Sequence, residues 1–403
     1  MADLKDDLQS SELSFDDTKI AFRNKTDAEL NRAFWLFKVI SFNLLTKMGT
    51  PITTFALNIG LPIQPLIKAT IFKQFCGGET IQDCEGVISQ LALGKVGTIL
   101  DYSVEGEEKE EVFEETAQEI IRTIQRGEDD DRIPLTVFKI TGVARFSLLE
   151  KVAAKQELSA EEVTEFERSG SRIDKICRAA FQFGVPVMID AEESWIQGAI
   201  DDLALKMMRA YNREKIIVYN TYQLYRRDKL ESLKADIFTA KQESFILGAK
   251  LVRGAYMEKE RKRAEEFSYP SPIHPDKKAT DEDYNEALKF SIENIDHAGL
   301  VAGTHNEESC ELLVHLMDNA RVTRSHNHVY FSQLLGMSDN LSLNLANAGY
   351  NVAKYVPYGP VKAVMPYLFR RAQENSSIAG LTGRELSLII REKKRRSLSA
   401  GRI

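Results

Sequence analysis

Lys139, Asp190, Lys250 and Tyr355 each stand in or at the end of a run that is otherwise apolar: LTVFK, VPVMID, GAKLV and VAKYV. A charged or hydroxyl side chain among apolar neighbours costs free energy unless something pairs with it, so such residues are first candidates for chemistry. A desolvated lysine is a nucleophile for carbonyl carbons, which makes Lys139 and Lys250 candidates for a Schiff base. Asp190 with the following Glu192 and Glu193 supplies carboxylates, either for the chemistry or to cap the next helix. Further polar groups end comparable runs: Asp101 with Glu105 beyond it, Asn220, Arg253 with Tyr256, and Thr304-His305-Asn306. The adjacent pair Arg370-Arg371 suits a bidentate clamp on a carboxylate or phosphate. Glu374, four residues after Arg370, offers the plainer reading of a surface ion pair. Glu105 opens the acidic stretch EGEEKEEVFEE and has a plain reading too, as part of a solvated charge run. A metal centre is not expected. His326-Asn327-His328 would put two imidazoles on one face of a strand, with His305 as a third ligand, but no further ligand set accompanies them.

Elements that could gather these residues recur from residue 96 onward. Apolar, β-branched runs lie at 96–103, 135–142, 185–192, 216–222, 248–256, 299–306, 328–333 and 351–357, with helical, charged stretches between them. Strands alternating with helices imply parallel βαβ units, and eight such units imply an α/β (βα)8 TIM-like barrel. In such barrels the chemistry sits at the carboxyl ends of the strands, where the polar residues named above fall. No GxGxxG follows a strand, so a Rossmann nucleotide domain loses support. The expected organisation is an N-terminal helical extension over 1–90, the barrel over 91–385 and a basic, solvated tail over 386–403.

The 403 residues are 43% hydrophobic and 28% charged, a globular balance, and the net charge of −7 argues against a nucleic-acid partner. The four cysteines form no CxxC pair, which points to a reducing setting. The acidic opening MADLKDDLQSSELSFDD has neither the form of a secretory signal nor that of a transit peptide, so a cytoplasmic location is expected. Residues 34–75 are the most apolar stretch. Lys38, Lys47, Gly49, Pro51, Pro62, Pro65 and Lys68 interrupt it, against the ~20 uninterrupted apolar residues of a spanning helix. It is read as helices packed on the barrel, with peripheral membrane contact as the second reading.

These residues stand in motifs that resemble the FAD-dependent proline dehydrogenases, in the monofunctional form. KLVRGAYM (250–257), AGTHNE (302–307), FSQLLGMSDNLS (331–342), KYVPYGPV (354–361) and PYLFRRAQENSS (366–377) carry the resemblance. LDYSVEG (100–106), FKITG (138–142), IDAEESW (189–195) and YNTYQ (219–223) fit it in the same order. The resemblance covers about 70–385 and implies a flavin-containing barrel that oxidises L-proline to Δ1-pyrroline-5-carboxylate and passes electrons to a membrane quinone. It assigns the substrate carboxylate to Lys139, Arg370 and Arg371, and the pyrrolidine ring to Leu334, Tyr256 and Tyr355, with Tyr355 crowding a 4-hydroxyl group. Asp190 and Lys250 are the implied catalytic pair. Ala191, Asn220, Lys250, Arg253, Gly254, Ala255, Thr304, His305, Asn306 and Glu374 are the implied contacts of non-covalent FAD. Lysine at 250 and asparagine at 220 depart from the arginine and glutamine of many bacterial members. The clamp requires the helix carrying Arg370 to lie across the barrel mouth, because Arg370 is about ten residues, ~15 Å, into it. An ion pair between Glu105 and Arg370 would then gate the site. On the residues alone, a Schiff-base aldolase-like barrel or a non-enzymatic scaffold remains open.

Overall fold

The computed structural model describes residues 13–40, 63–103, 108–377 and 381–400; in the helices, residues 40, 372–377, 381, 382, 399 and 400 are described as backbone. Eight strands close a parallel barrel in sequential order: β1 Gly97–Tyr102, β2 Leu135–Phe138, β3 Val187–Ile189, β4 Val218–Gln223, β5 Leu247–Val252, β6 Ala298–Gly303, β7 Val329–Leu334 and β8 Val352–Tyr358. Each of the eight expected runs overlaps one strand. β8 pairs with β1 through Gly97↔Ala353 to Tyr102↔Tyr358, which removes the sheet edges.

The helices used below are α1 Asp27–Ile40, α2 Ser194–Tyr211, α3 Met257–Glu266, α4 Lys277–Glu293, α5 Glu307–Asn319, α6 Asp339–Asn347, α7 Val361–Ser377 and α8 Leu381–Ala400. α2, α4, α5 and α6 each follow a strand and cover the outside of the barrel.

Alternation along the strands sorts side chains into two sets. Ile99, Leu135, Val137, Met188, Tyr219, Val301, Ala353 and Tyr355 pack together inside the barrel. Their neighbours Val187, Ile189, Val218, Ala249, Leu251, Leu300, Ala302, Phe331 and Val352 belong to the larger core between strands and helices. Burying one such aliphatic side chain contributes about 1.5–3 kcal/mol, so a one-residue slip of any strand would be costly. The register therefore fixes which polar residues face the lumen.

A third core lies outside the barrel wall. Phe22, Leu30, Ala33 and Phe37 of the N-terminal segment pack with Phe72, Phe75, Val364, Met365, Leu368, Leu388 and Ile389. The 34–75 stretch thus contributes packed helices where it is described; residues 41–62 lie outside the described residues. Among the described residues no helix is long and apolar enough to cross a membrane.

The charge run at the C-terminus departs from the expected solvated tail. It forms α8, whose Leu388 and Ile389 are buried against α1 and α7. Glu392 is fully buried and takes hydrogen bonds from Arg395 (2.7 Å) and Arg396 (2.7 Å). Arg396 also donates to the carbonyls of Phe22 and Lys25. Arginine forks satisfy buried carboxylate and carbonyl oxygens, so a run rich in charge can still dock.

Candidate active site

At the carboxyl ends of the strands the inward register brings Asp101 from β1, Asp190 just past β3, Lys250 from β5 and Tyr355 from β8 into the barrel mouth. Lys139 follows β2 directly instead of lying within it, since the strand closes at Phe138 and Ile140–Gly142 turns away as a 3-10 helix. The Asp190 amide donates to the carbonyl of Phe138 at 3.0 Å, so Lys139 and Asp190 issue from adjoining backbone.

Lys250, Asp190 and Tyr355 form a closed cluster. The Lys250 ammonium donates to Asp190 Oδ1 and to the Tyr355 hydroxyl, and that hydroxyl donates to Asp190 Oδ1 at 3.0 Å. Nζ also stands 4.5 Å from the Tyr355 ring centroid. The Lys250 side chain is only 6% exposed and that of Asp190 16%. Removing either partner would leave a charge in the mouth without its counter-ion. Burial, then the nearby Asp190 and Asp101 carboxylates, push the Tyr355 phenol well above its ordinary range, so it stays protonated and able to donate.

Glu192 lies beside Lys139. It is buried and accepts from the Thr141 amide (3.1 Å) and hydroxyl (2.6 Å). Burial lifts its carboxyl to about 7, against the pull of Lys139 and Thr141. The Glu192 carbonyl accepts from Gln223 Nε2 at 2.7 Å. Gln223 shares the inward register of Tyr219 and Thr221 and is 2% exposed.

Asn220 stands on the other side of the wall. It is one residue out of register with the lumen set, and its Nδ2 donates to Asp201 Oδ1 on α2 at 2.9 Å. It belongs to the layer between barrel and helices, and the amide that β4 turns inward is Gln223. This corrects the expectation for Asn220 on strand parity alone. Alternation counted from the lumen residue Tyr219 selects Gln223 as the inward amide.

Arg253 also turns outward. Its Nε donates to Asp281 (2.6 Å) on α4, and its terminal nitrogens to Thr304 (2.8 Å) and to Ser309 (3.0 Å) on α5. The guanidinium carbon lies 4.4 Å from the Tyr284 ring centroid. Arg253 and Thr304 therefore join one another and the helices, apart from the Lys250 cluster. Asn306 caps α5 by accepting from the Ser309 amide at 2.8 Å. Gly254 has a positive φ of 140°, and a Cβ there would meet the Tyr225 ring at 2.4 Å. The tyrosine is reason enough for glycine. Ala255 is exposed, while Ala191 and Tyr256 are buried next to the strand ends, Tyr256 at the start of α3.

His305 Nδ1 is paired with the Ser338 hydroxyl at 2.9 Å. Desolvation, then the cations Lys354, Arg371 and Arg253, hold the imidazole down to about 3, so it is neutral across the physiological range. A cleft of about 350 Å3 opens beside it, lined by Asn306, Glu307, Ser338, Arg384 and Glu385 among others. The influence of Arg371 on His305 bears on α7, the helix required over the mouth. Leu334 packs against the lumen core and against the cluster that holds Val364, Met365 and Leu368 of α7. Arg371 is buried with its guanidinium carbon 5.3 Å from the Tyr367 ring centroid, and Arg370 is half-buried. Glu105 lies outside the described residues, and Glu374 is described as α7 backbone only.

His326 and His328 precede β7 and do not lie on its face. Their rings meet edge to face at 5.2 Å, and His328 Nδ1 pairs with the Ile295 carbonyl. They stand at the amino end of the barrel, opposite the mouth. Among the described residues no group of three or more His, Cys, Asp or Glu could hold a metal ion.

The mouth thus combines a lysine–aspartate–tyrosine cluster, a second lysine, an inward amide and a neutral imidazole in a sequential (βα)8 barrel. The family model for proline dehydrogenase matches residues 84–384. Proline dehydrogenase 1, mitochondrial, of Dictyostelium discoideum is 33% identical over 94% of this chain and 74% of its own length. The human protein of that name is 40% identical over 66% of this chain, which spans 45% of it. Among solved structures, proline utilization A from Bdellovibrio bacteriovorus, inactivated by N-propargylglycine, superposes with a TM-score of 0.71 at 20% identity, over 94% of this chain and 42% of that one. The chain belongs to the proline dehydrogenase family, the oxidoreductases of proline catabolism.

Proposed function

We propose that the chain oxidises L-proline to Δ1-pyrroline-5-carboxylate with FAD as hydride acceptor and a membrane quinone as the final acceptor. The observation that carries the reading is the Lys250–Asp190–Tyr355 cluster facing the barrel mouth in a member of this family. The donor set suits a flavin: the Lys250 cation, the inward Gln223 amide and the neutral His305 offer charge and hydrogen bonds to a planar group that gains negative charge on reduction. When bound, FAD supplies the two-electron acceptor at N5.

The chain's own residues do the rest. Lys139, Arg370 and Arg371 take the substrate carboxylate, and Leu334, Tyr256 and Tyr355 pack on the pyrrolidine ring. The ring nitrogen must be unprotonated for its lone pair to expel hydride from the adjacent carbon. Asp190 holds Lys250 and Tyr355 in place and supplies the counter-charge to Lys250. Asn306, Ala191 and the Gly254-Ala255 backbone flank the cofactor; Arg253 and Thr304 support that wall from behind. Glu105 and Arg370 close the site as a gate. A double-mutant cycle on Glu105→Ala and Arg370→Ala should show coupling in proline kcat/KM of at most ~1 kcal/mol; strict additivity removes the gate and leaves the clamp.

The Schiff-base alternative loses ground, because the Lys250 nitrogen that would attack a carbonyl is engaged by Asp190 and Tyr355. The four cysteines are all unpaired and buried, in keeping with a reducing compartment, cytoplasm or mitochondrial matrix. The visible spectrum of the purified protein tests the cofactor. Flavin bands are expected, with free FAD released on acid denaturation. Colour retained on the precipitate would contradict non-covalent binding, and absence of bands after FAD addition would contradict the reading altogether.

A further inference from the structure

Ser338 holds the N-cap position of α6, yet its hydroxyl makes no cap bond. Serine is among the best capping residues and ordinarily sits there with extended backbone. Here its backbone is left-handed, with φ 50° and ψ 45°, a conformation that residues with a Cβ rarely adopt. Two partners account for the exception. The Ser338 amide donates to the carboxylate of Glu385 on α8. The hydroxyl, turned away from the helix, pairs with His305 Nδ1.

Glu385 is itself buried, 5% exposed, at the start of a helix that reaches the barrel from outside it. The loop it grips is held from beneath as well. Lys354 donates to the Met337 carbonyl and pairs with Asp339 at 2.7 Å, and Lys25 pairs with the same carboxylate. Burial, then Asp339, raise the Glu385 carboxyl to about 7, with the Ser338 amide bond, Lys354 and Lys25 opposing. The bond to the Ser338 amide survives either protonation state, because a neutral carboxyl still accepts through its carbonyl oxygen.

We propose that Glu385, one residue beyond the family match, is a positioning residue for the cofactor site: it holds Ser338 so that the serine hydroxyl fixes the tautomer and orientation of His305. The imidazole then presents Nε2 in one defined state toward the mouth and its adjoining cleft. The inference rests on the reading of His305 as a flavin contact. It makes α8, which the sequence presents as a charged tail, part of the machinery.

The test uses the full-length holoprotein and its apo form, and measures the FAD dissociation constant and the flavin midpoint potential. Glu385→Ala should weaken FAD binding about tenfold, the size of one hydrogen bond's net worth, and shift the potential. Ser338→Gly suits the left-handed backbone and removes the hydroxymethyl side chain while keeping the amide that Glu385 grips; it should shift both quantities in the same direction. The double variant should be no worse than the worse single one. Glu385→Gln keeps an acceptor oxygen and should stay within about twofold of wild type. Arg391→Ala breaks a different anchor of α8, its bonds to Asp16, and should lower the melting temperature without moving either flavin quantity. Unchanged affinity and potential in Glu385→Ala and Ser338→Gly, with wild type binding FAD normally, would overturn this inference alone. So would an Arg391→Ala shift as large as that of Glu385→Ala. A wild-type protein that takes up no FAD would overturn the parent reading first and this one with it.

Discussion

Lys250 and Arg253 belong to one four-residue motif, KLVR, and end on opposite sides of the barrel wall. Lys250 faces the lumen and meets Asp190 and Tyr355. Arg253 faces the helices and meets Asp281, Thr304 and Ser309. The lumen region gathers side chains from distant strands into one cluster, whereas the wall region ties a strand end to the two helices that cover it. Strand parity sets chemistry against support, and residue type alone does not.

The sharpest way to break that contrast is to delete each cation. Lys250→Ala should lower proline kcat/KM by about 10²–10³-fold, because a preorganised charge at a water-poor mouth is lost and Asp190 is stranded. Its melting temperature should fall less than that of Arg253→Ala, which removes the bonds from Arg253 to Asp281, Thr304 and Ser309 and should cost about 2–4 kcal/mol of stability. Equal activity losses in the two variants would erase the distinction between lumen and wall.

β4 repeats the contrast with two amides. Gln223→Ala should weaken FAD binding about tenfold, while Asn220→Ala should leave it unchanged and cost about 1 kcal/mol of stability through the lost bond to Asp201. Fluorescence titration of the apo proteins with FAD distinguishes them, and an effect of Asn220→Ala on FAD alone would reverse the assignment.

Much of this was legible in the residues. The eight strands were, because β-branched runs separated by helical stretches have few other meanings in a chain of this length. Lys250, Asp190 and Tyr355 were, because each breaks an apolar run. Gln223 is harder to read, because YNTYQ contains two amides and residue type alone does not tell which of them strand parity turns inward. α8 was missed for a physical reason. Its buried face, Glu385, Leu388, Ile389 and Glu392, has helical spacing but begins and ends in carboxylates, so the apolar stripe is only two residues long. What satisfies those carboxylates is Ser338, Arg395 and Arg396, and only the fold reveals the first of these.

Within the lumen, Tyr355 sharpens the comparison by specificity. Tyr355→Ser should narrow the preference for proline over 4-hydroxyproline, within the ~10²-fold that steric rejection of one hydroxyl supplies. An unchanged ratio of kcat/KM values would remove the crowding role and leave the hydrogen bonds to Lys250 and Asp190.

The smallest expected effect concerns pH. Glu192 titrates near 7 in the folded protein and near its ordinary value of 4.5 when unfolded. The native state therefore binds more protons across that window, and the group's contribution to stability falls as pH rises from about 4.5 to about 7. Glu192→Gln should lose that dependence, so its melting temperature relative to wild type should rise between pH 5 and pH 8. A difference that stays flat with pH would mean that Lys139 keeps Glu192 ionised throughout.

The ring of inward residues at the carboxyl ends of the strands is proposed to bind proline and present it to FAD, the oxidant. Anaerobic addition of L-proline to the purified, FAD-loaded protein tests it most directly, with the flavin's visible absorption as the readout. The account predicts bleaching of the flavin bands by proline, in the absence of any other electron acceptor, and little or none in Lys250→Ala on the same timescale. A wild-type flavin spectrum that proline leaves unchanged would contradict it.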